Sequence, residues 1–170
     1  MKVLGIDPGT AVLGYGVVES DAGRHARLLE CGTLTTPARD PLAVRLRVIH
    51  DGTAALLARH TPDAVAVESA FYAKNVRTTI VLSHARGVIL LAAEQAGVTI
   101  AEYSPAQVKK SVVGRGAALK PQVAYMVMQL LRLKTPPRPS DAADGVAIAL
   151  AHLLISTRQA AFLRQGIGVP

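Results

Sequence analysis

The amino-acid sequence predicts an α/β protein with a mixed five-stranded sheet that is covered by helices on both faces. The beginning of the chain has three strand-like segments separated by turns, and the remainder alternates strand-like runs with segments of helical periodicity. With 170 residues, half of them hydrophobic, the chain is long enough for one compact domain with its own core. We assign residues 1–158 to this domain and residues 159–170 to a C-terminal tail.

The first three strands are predicted to form a β-meander. Residues 3–6 are an apolar run that the turn Asp7-Pro8-Gly9 closes, so the first strand ends at Asp7. Residues 14–18 and 28–35 predict the next two strands, because a polar turn separates them.

Helices and strands alternate after the meander. Residues 41–59 have near-helical apolar spacing, and residues 64–67 are an unbroken apolar run that ends at Glu68, which is typical of a central strand buried on both faces. A long helix is predicted over residues 78–96 and a further strand over residues 98–103.

The C-terminal part of the chain is predicted to be helical. Ser104, Pro105 and Gln107 form the pattern of a capping box, which starts a short helix through residue 112. Another helix is predicted over residues 121–133. A proline-rich stretch then separates it from a final helix over residues 141–157, which Ser140 can cap.

The charge distribution favours a polyanionic partner. The net charge is +7, and residues 74–120 alone carry seven basic and two acidic side chains, a net charge of +5. A solvated basic surface would give the same composition, so the charge alone does not identify nucleic acid.

The sequence also suggests a compartment. The single cysteine, Cys31, fits a reducing environment, and the N-terminus lacks the apolar region of a signal peptide. No uninterrupted apolar run reaches the roughly 20 residues that span a bilayer. We therefore expect a cytoplasmic protein without a membrane partner.

Four carboxylates are the candidate catalytic residues: Asp7 and Glu68 at predicted strand ends, and Asp141 and Asp144 three residues apart on one face of the last helix. Asp7 and Asp141 have ordinary structural explanations, since aspartate begins turns and acidic residues in a first turn stabilise the helix N-terminus, whereas Asp144 lies at the edge of that effect and is more informative. Glu68 is the hardest to explain this way, because a carboxylate at a sheet centre is costly unless it is paired or bound to a cation.

Together these carboxylates indicate a hard divalent cation. Oxygen ligands without clustered His and Cys favour Mg²⁺ or Mn²⁺ over Zn²⁺. Two such ions about 3.5 to 4 Å apart can hold a phosphodiester and activate water. In a basic protein this combination suggests a nuclease.

Several motifs resemble the RuvC family of Holliday junction resolvases, and they follow the family order over nearly the whole chain. The matching stretches are Gly5-Ile6-Asp7-Pro8-Gly9-Thr10, Gly14-Tyr15-Gly16, Val67-Glu68, Phe71-Tyr72-Ala73-Lys74-Asn75, Ala85-Arg86-Gly87, Tyr103-Ser104-Pro105, Val108-Lys109, Val112-Val113-Gly114 with Gly116, and Asp141-Ala142-Ala143-Asp144. Ser69-Ala70 departs from the residues expected in many members, which leaves loop details open.

The resemblance implies a ribonuclease H-like fold, a homodimer, and paired nicks in opposed strands of a four-way DNA junction during recombination and repair. These nicks would leave 5′-phosphate and 3′-hydroxyl ends. The resemblance further implies that the four carboxylates bind two Mg²⁺ ions, which Mn²⁺ can replace, and that a branch-migration helicase complex is a partner.

The resemblance also assigns DNA-binding residues. Phe71 matches a family aromatic at the junction's exchange point, and an aromatic beside Lys74 could independently stack on an unpaired base. The alternative role for Phe71 is that of a phenylalanine in the hydrophobic core. Lys109 and Lys120 match family lysines near the scissile phosphates.

Four other functions are weighed against this one. The Asp7-Pro8-Gly9-Thr10 stretch also resembles the phosphate loop of actin-like ATPases and sugar kinases, but one domain's length and the lack of a second such loop speak against them. Glycosidases also use paired carboxylates, although 4% aromatic residues and no tryptophan fit them poorly. A junction-binding module that does not cut leaves Glu68 and Asp144 unexplained, and a nuclease for structured RNA is the nearest enzymatic alternative.

Overall fold

A mixed five-stranded sheet of order β3-β2-β1-β4-β5 forms the centre of the computed structural model, which describes residues 1–21, 25–69 and 76–164. The strands are β1 (Lys2–Asp7), β2 (Val12–Asp21), β3 (His25–Thr35), β4 (Ala64–Glu68) and β5 (Thr99–Tyr103). The helices are α1 (Leu42–His60), α2 (Val76–Gln95), α3 (Pro105–Val113), α4 (Lys120–Leu130) and α5 (Ser140–Arg164). The predicted fold class is thereby confirmed.

The strand pairing brings two of the predicted carboxylates to one edge of the sheet. β1 pairs antiparallel with β2, and it pairs parallel with β4 in a register that sets Ile6 beside Val67. Asp7 and Glu68 are the next residues of these two strands. Both carboxylates therefore lie at the carboxyl ends of adjacent parallel strands, where ligands bind in open α/β sheets.

Helices cover both faces of the sheet, and each face has its own hydrophobic core. One core joins β1, β2 and β4 to α3, α4 and α5, with residues such as Val3, Val127 and Ile148 almost fully buried. The other joins the opposite face to α1 and α2, through residues such as Leu4 and Ile89. The alternating side chains of β1 supply both cores, which is why the strand reads as a continuous apolar run.

Several helix ends differ from those predicted. α5 continues to Arg164 instead of ending near residue 157, because no glycine or proline occurs between Gly145 and Gly166 to end it. The proposed domain boundary at residue 158 therefore falls inside this helix. α4 ends at Leu130 rather than near residue 133, since Arg132 adopts a left-handed backbone conformation with φ of 52°. The capping box of Ser104 and Gln107 is confirmed, with both reciprocal hydrogen bonds formed.

Helix α2 is long and apolar enough, by length and composition alone, to cross a membrane, and among the described helices it alone passes this test. Four of its residues, Ala85, Ile89, Ala92 and Ala93, are buried in the core beside α1. The core helix of a folded domain meets the same criterion, so this composition is weak evidence for a membrane span.

Glycines allow the start of α5 to lie directly on the backbone of β1 and β2. A Cβ atom added at Gly14 would be 1.9 Å from the carbonyl oxygen of Asp141, and one added at Gly145 would be 2.5 Å from the Cα of Tyr15. Gly14 is itself the register partner of Asp7. This contact therefore sets α5, with its two aspartates, above the end of β1.

We predict that Gly14→Ala destabilises the protein by about 3 kcal/mol or more, because backbone atoms cannot yield to the added methyl group as side chains can. The matched control is Gly32→Ala in β3, where the nearest atoms to an added Cβ are the side-chain tip of Tyr15, at 2.8 Å for the hydroxyl oxygen. Thermal and urea unfolding of the two variants measures the difference. Equal losses of stability would show that α5 does not depend on this close approach.

Candidate active site

A pocket at the carboxyl ends of β1 and β4 contains three of the four candidate carboxylates. It also contains Lys109 and Lys120, two of the candidate DNA-binding residues. Its volume is about 180 Å³. The lining residues are Asp7, Glu68, Pro105, Val108, Lys109, Lys120, Val123, Asp144, Ala147 and Ile148. Strands β1 and β4 supply the first two carboxylates, while α3, α4 and α5 supply the rest, so residues far apart in the sequence meet here.

Asp7 has the most strongly perturbed electrostatic environment of the pocket. Burial and then the nearby negative charges of Glu68 and Asp144 raise the pKa of Asp7 from 3.8 to about 7. The positive charge of Lys120 opposes this shift without cancelling it. At neutral pH Asp7 is consequently poised between its protonated and ionised forms, and any added cation would favour the ionised one.

Glu68 shares this environment. Burial raises the pKa of Glu68 above its ordinary value of 4.5, and the charge of Asp144 raises it further. The charges of Lys120 and Lys109 lower it. The apolar side chains that surround the pocket exclude water and therefore cause the largest part of the effect.

Lys120 forms an ion pair across the mouth of the pocket. Its Nζ donates a hydrogen bond of 2.7 Å to Oδ2 of Asp144, and this contact raises the pKa of Lys120. The two residues are 24 positions apart, and they meet because the beginning of α4 packs beside the beginning of α5. Lys120 keeps 75% of its side chain exposed, so a phosphate can also reach it.

Asp141 lies beside this pocket rather than in its lining. It occupies the first turn of α5, and its charge contributes to the raised pKa of Asp7 and to that of Lys120. Within the described residues no three His, Cys, Asp or Glu side chains converge closely enough to enclose an ion. Asp7, Glu68 and Asp144 therefore share the lining of one pocket without enclosing an ion, while Asp141 lies next to this pocket.

The remaining predicted site residues divide into two groups. Lys109 on α3 lines the pocket and has no ion-pair partner among the residues that the structure describes. Phe71 and Lys74 lie outside the described residues.

Sequence reasoning missed the apolar part of the pocket. Val108, Val123, Ala147 and Ile148 come from three different helices and desolvate the carboxylates. Periodicity marks such residues as core positions but does not show that they also face a cluster of charges. The signal that was available is the run of glycines in β1 and β2, since glycine weakens a strand interior and often marks the close approach of another backbone.

Comparison with known proteins adds an independent line of information. The family model described as "Crossover junction endodeoxyribonuclease RuvC" matches residues 3–152. A protein of that name from Syntrophomonas wolfei is 52% identical over 153 residues, which cover 90% of this chain and 88% of the relative. One from Chloroflexus aurantiacus is 50% identical over 152 residues, covering 89% and 92% respectively.

Solved structures agree with these sequence comparisons. The structure of T. thermophilus RuvC in complex with Holliday junction substrate superposes with a TM-score of 0.89 at 41% identity, covering 94% of this chain and 96% of that one. The yeast mitochondrial Holliday junction resolvase Ydc2 has a TM-score of 0.69 at 14% identity and covers 97% and 86%, which supports the fold alone.

We predict that Asp7→Asn stabilises the protein at alkaline pH when divalent ions are chelated. The pKa of Asp7 is raised in the folded state, so its protonated form favours folding, and stability is lost as the pH rises from about 4 through 7. The amide removes this loss, on the order of 1 to 3 kcal/mol at pH 8, and changes little near pH 4. Melting temperatures of both proteins across this range measure the effect.

The control for this prediction is Glu94→Gln, because Glu94 near the end of α2 is exposed and has no ion-pair partner among the described residues. α2 leads there into the beginning of β5, at the opposite end of the strands from Glu68. A stabilisation by Asp7→Asn that is the same at pH 4 and pH 8 would contradict the assigned electrostatic cause.

Proposed function

This chain belongs to the RuvC family of crossover junction endodeoxyribonucleases, and we propose that it resolves four-way (Holliday) DNA junctions by hydrolytic nicks in two opposed strands. The observation that carries this proposal is the pocket in which Asp7, Glu68 and Asp144 meet Lys109 and Lys120. The products would have 5′-phosphate and 3′-hydroxyl ends, and the reaction would serve recombination and repair. Cleavage of a synthetic four-way junction, with and without Mg²⁺, tests it directly.

The carboxylate oxygens of the pocket are the ligand type that divalent metal ions prefer, and ion binding would draw these side chains closer together than they lie here. Burial and the neighbouring negative charges raise the pKa values of Asp7 and Glu68, because the positive charges of the nearby lysines only partly offset the negative charge of the carboxylates. Asp7, Glu68, Asp144 and the adjacent Asp141 would hold two Mg²⁺ ions, or Mn²⁺ in their place. Such ions supply Lewis-acid stabilisation of the phosphodiester and a more acidic bound water.

The chain's own residues would bind and orient the substrate strand. Lys109 and the exposed ammonium of Lys120 line the pocket and would contact oxygens of the scissile phosphate, which would offset the repulsion between phosphate and carboxylates. The apolar wall of Val108, Val123 and Ile148 excludes water around the reacting phosphate. Phe71 would stack on a base at the junction centre, and Lys74 would contact the backbone beside it.

Helix α2 is the surface on which we propose that two copies of the chain associate. Val76, Ile80 and Leu91 are 72%, 51% and 50% exposed, and their spacing together with Gly87 places them along one stripe of the helix. Apart from the backbone of α2 itself and the two neighbouring residues, no atom of the described chain lies within 4 Å of a Cβ added at Gly87, so another helix could approach closely there. A dimer would supply two active sites, one for each of two opposed strands.

The competing functions fit these features less well. The family has nucleases as members, which argues against phosphotransfer and against glycoside hydrolysis. A junction-binding module would not need three carboxylates in one pocket, where burial and like charges raise the pKa values of Asp7 and Glu68. A nuclease for structured RNA remains distinguishable by comparing cleavage of a DNA junction with cleavage of a structured RNA. We further propose a cytoplasmic location and a branch-migration helicase complex as partner.

We predict that Glu68→Gln lowers junction cleavage by about two orders of magnitude or more while junction binding is retained, because shape is kept and the charge that binds metal is lost. Glu19→Gln is the control, since Glu19 lies on β2 in an exposed pair with Arg27. Single-turnover cleavage and a gel-shift assay measure the two properties. Near wild-type cleavage by Glu68→Gln would exclude this carboxylate from the site.

We predict that Ile80→Asp converts the protein to a monomer, because a charge would be buried against the partner helix. Val48→Asp provides the control, since Val48 on α1 is similarly exposed at 41%. Light scattering coupled to size-exclusion chromatography measures the mass. If Ile80→Asp stays dimeric, or Val48→Asp dissociates as readily, the interface lies elsewhere.

A further inference from the structure

A second cavity adjoins the candidate active site on the other side of Lys120. Its volume is about 390 Å³, and it lies between the beginning of α4, the beginning of α5 and the loop that joins these helices. The lining residues are Lys120, Pro121, Val123, Ala124, Pro136, Pro137, Arg138, Pro139, Ser140, Ala143 and Asp144. Lys120, Val123 and Asp144 also line the catalytic pocket, so the Lys120–Asp144 ion pair is a wall common to both.

The lining of this cavity suits a flat, partly apolar group. Four prolines together with Val123, Ala124 and Ala143 form most of it. Proline rings are rigid and proline nitrogens carry no hydrogen, so these walls require few hydrogen bonds from an occupant. A cavity of this volume with mainly apolar walls and a few polar groups is typical of ligand sites of about 300 to 1,000 Å³.

Positive charge surrounds the cavity. The segment from residue 131 to 140 contains Arg132, Lys134 and Arg138 and no acidic residue. All three are exposed, and none has an ion-pair partner among the described residues. The one acidic side chain in the lining, Asp144, is already paired with Lys120. An anionic group can therefore approach the rim, where Arg138 lies.

We propose that this cavity binds the sugar and base of a nucleotide that adjoins the scissile phosphate, with Arg138 on the next phosphate of the strand. The inference rests on the proposed function, because it requires a DNA strand whose phosphate occupies the pocket of Asp7, Glu68 and Asp144. The strand then continues past the Lys120–Asp144 wall, and the cavity on its other side receives the neighbouring nucleotide. Its shape thereby contributes to the nucleotide preference at the cut.

The first test uses the wild-type protein and removes the base instead of a side chain. After the cut has been mapped on a four-way junction, abasic sites replace the nucleotides on its two sides, one at a time. The abasic site on the side that occupies the cavity should slow single-turnover cleavage by about tenfold or more, and the other should have a smaller effect.

The second test fills the cavity. Ala124→Phe should slow cleavage of the intact junction and should remove the difference between the intact and the abasic junction, since both changes disrupt one contact. Ala54→Phe is the matched control, because Ala54 is also a half-buried helical alanine and lines an open groove between α1 and α2 on the opposite face. It should cut both junctions as the wild type does.

A third comparison does not depend on the folding of Ala124→Phe. Arg138→Ala should slow cleavage more than Lys134→Ala, which removes the same charge from the same loop but does not line the cavity. If the wild type cuts the intact junction and both abasic junctions at one rate, the subsite is refuted while the proposed function stands. If the wild type leaves the intact junction uncut with Mg²⁺ and with Mn²⁺, the proposed function fails, and this inference fails with it.

Discussion

The close approach of α5 to the backbone of β1 and β2 is the constraint on which the candidate site depends. Carboxylates from the sheet and from α5 can share one small pocket only when the helix lies almost in contact with the strands. Gly14 and Gly145 permit this because neither has a Cβ atom to hold the two backbones apart. Asp144 is brought to Asp7 in this way, and the ion pair with Lys120 follows from it.

The clustering of carboxylates in the pocket lowers the stability of the folded protein. Burial and like charges raise the pKa values of both Asp7 and Glu68, and Lys109 and Lys120 compensate them in part. A site that repels its own charges is less stable than one designed for folding alone, and the two hydrophobic cores on either side of the sheet must offset that loss. The same imbalance would favour a cation in the pocket, because cation binding would relieve the repulsion.

The candidate pocket and the exposed apolar residues of α2 lie on opposite faces of the sheet. The candidate pocket is formed with α3, α4 and α5 on one face, whereas α2 packs beside α1 on the other and exposes Val76, Ile80 and Leu91. Chain connectivity still links them, since α2 begins only eight residues after Glu68. A partner bound along α2 would therefore contact a helix that follows closely in the chain after the Glu68 carboxylate of the candidate pocket.

Sequence by itself determined the order of strands and helices, the capping box of Ser104 and the positions of Asp7 and Glu68 at strand ends. It could do so because periodicity, turns and caps depend on neighbouring residues. It did not separate Asp144, which lines the pocket, from Asp141, which lies beside it, since both share one face of the predicted helix. The rotation of α5, the pairing of Lys120 with Asp144 and the cavity behind that pair were decided by tertiary structure alone. They depend on how α4 and α5 pack against each other and on the sheet, and such long-range contacts leave no local pattern in the sequence.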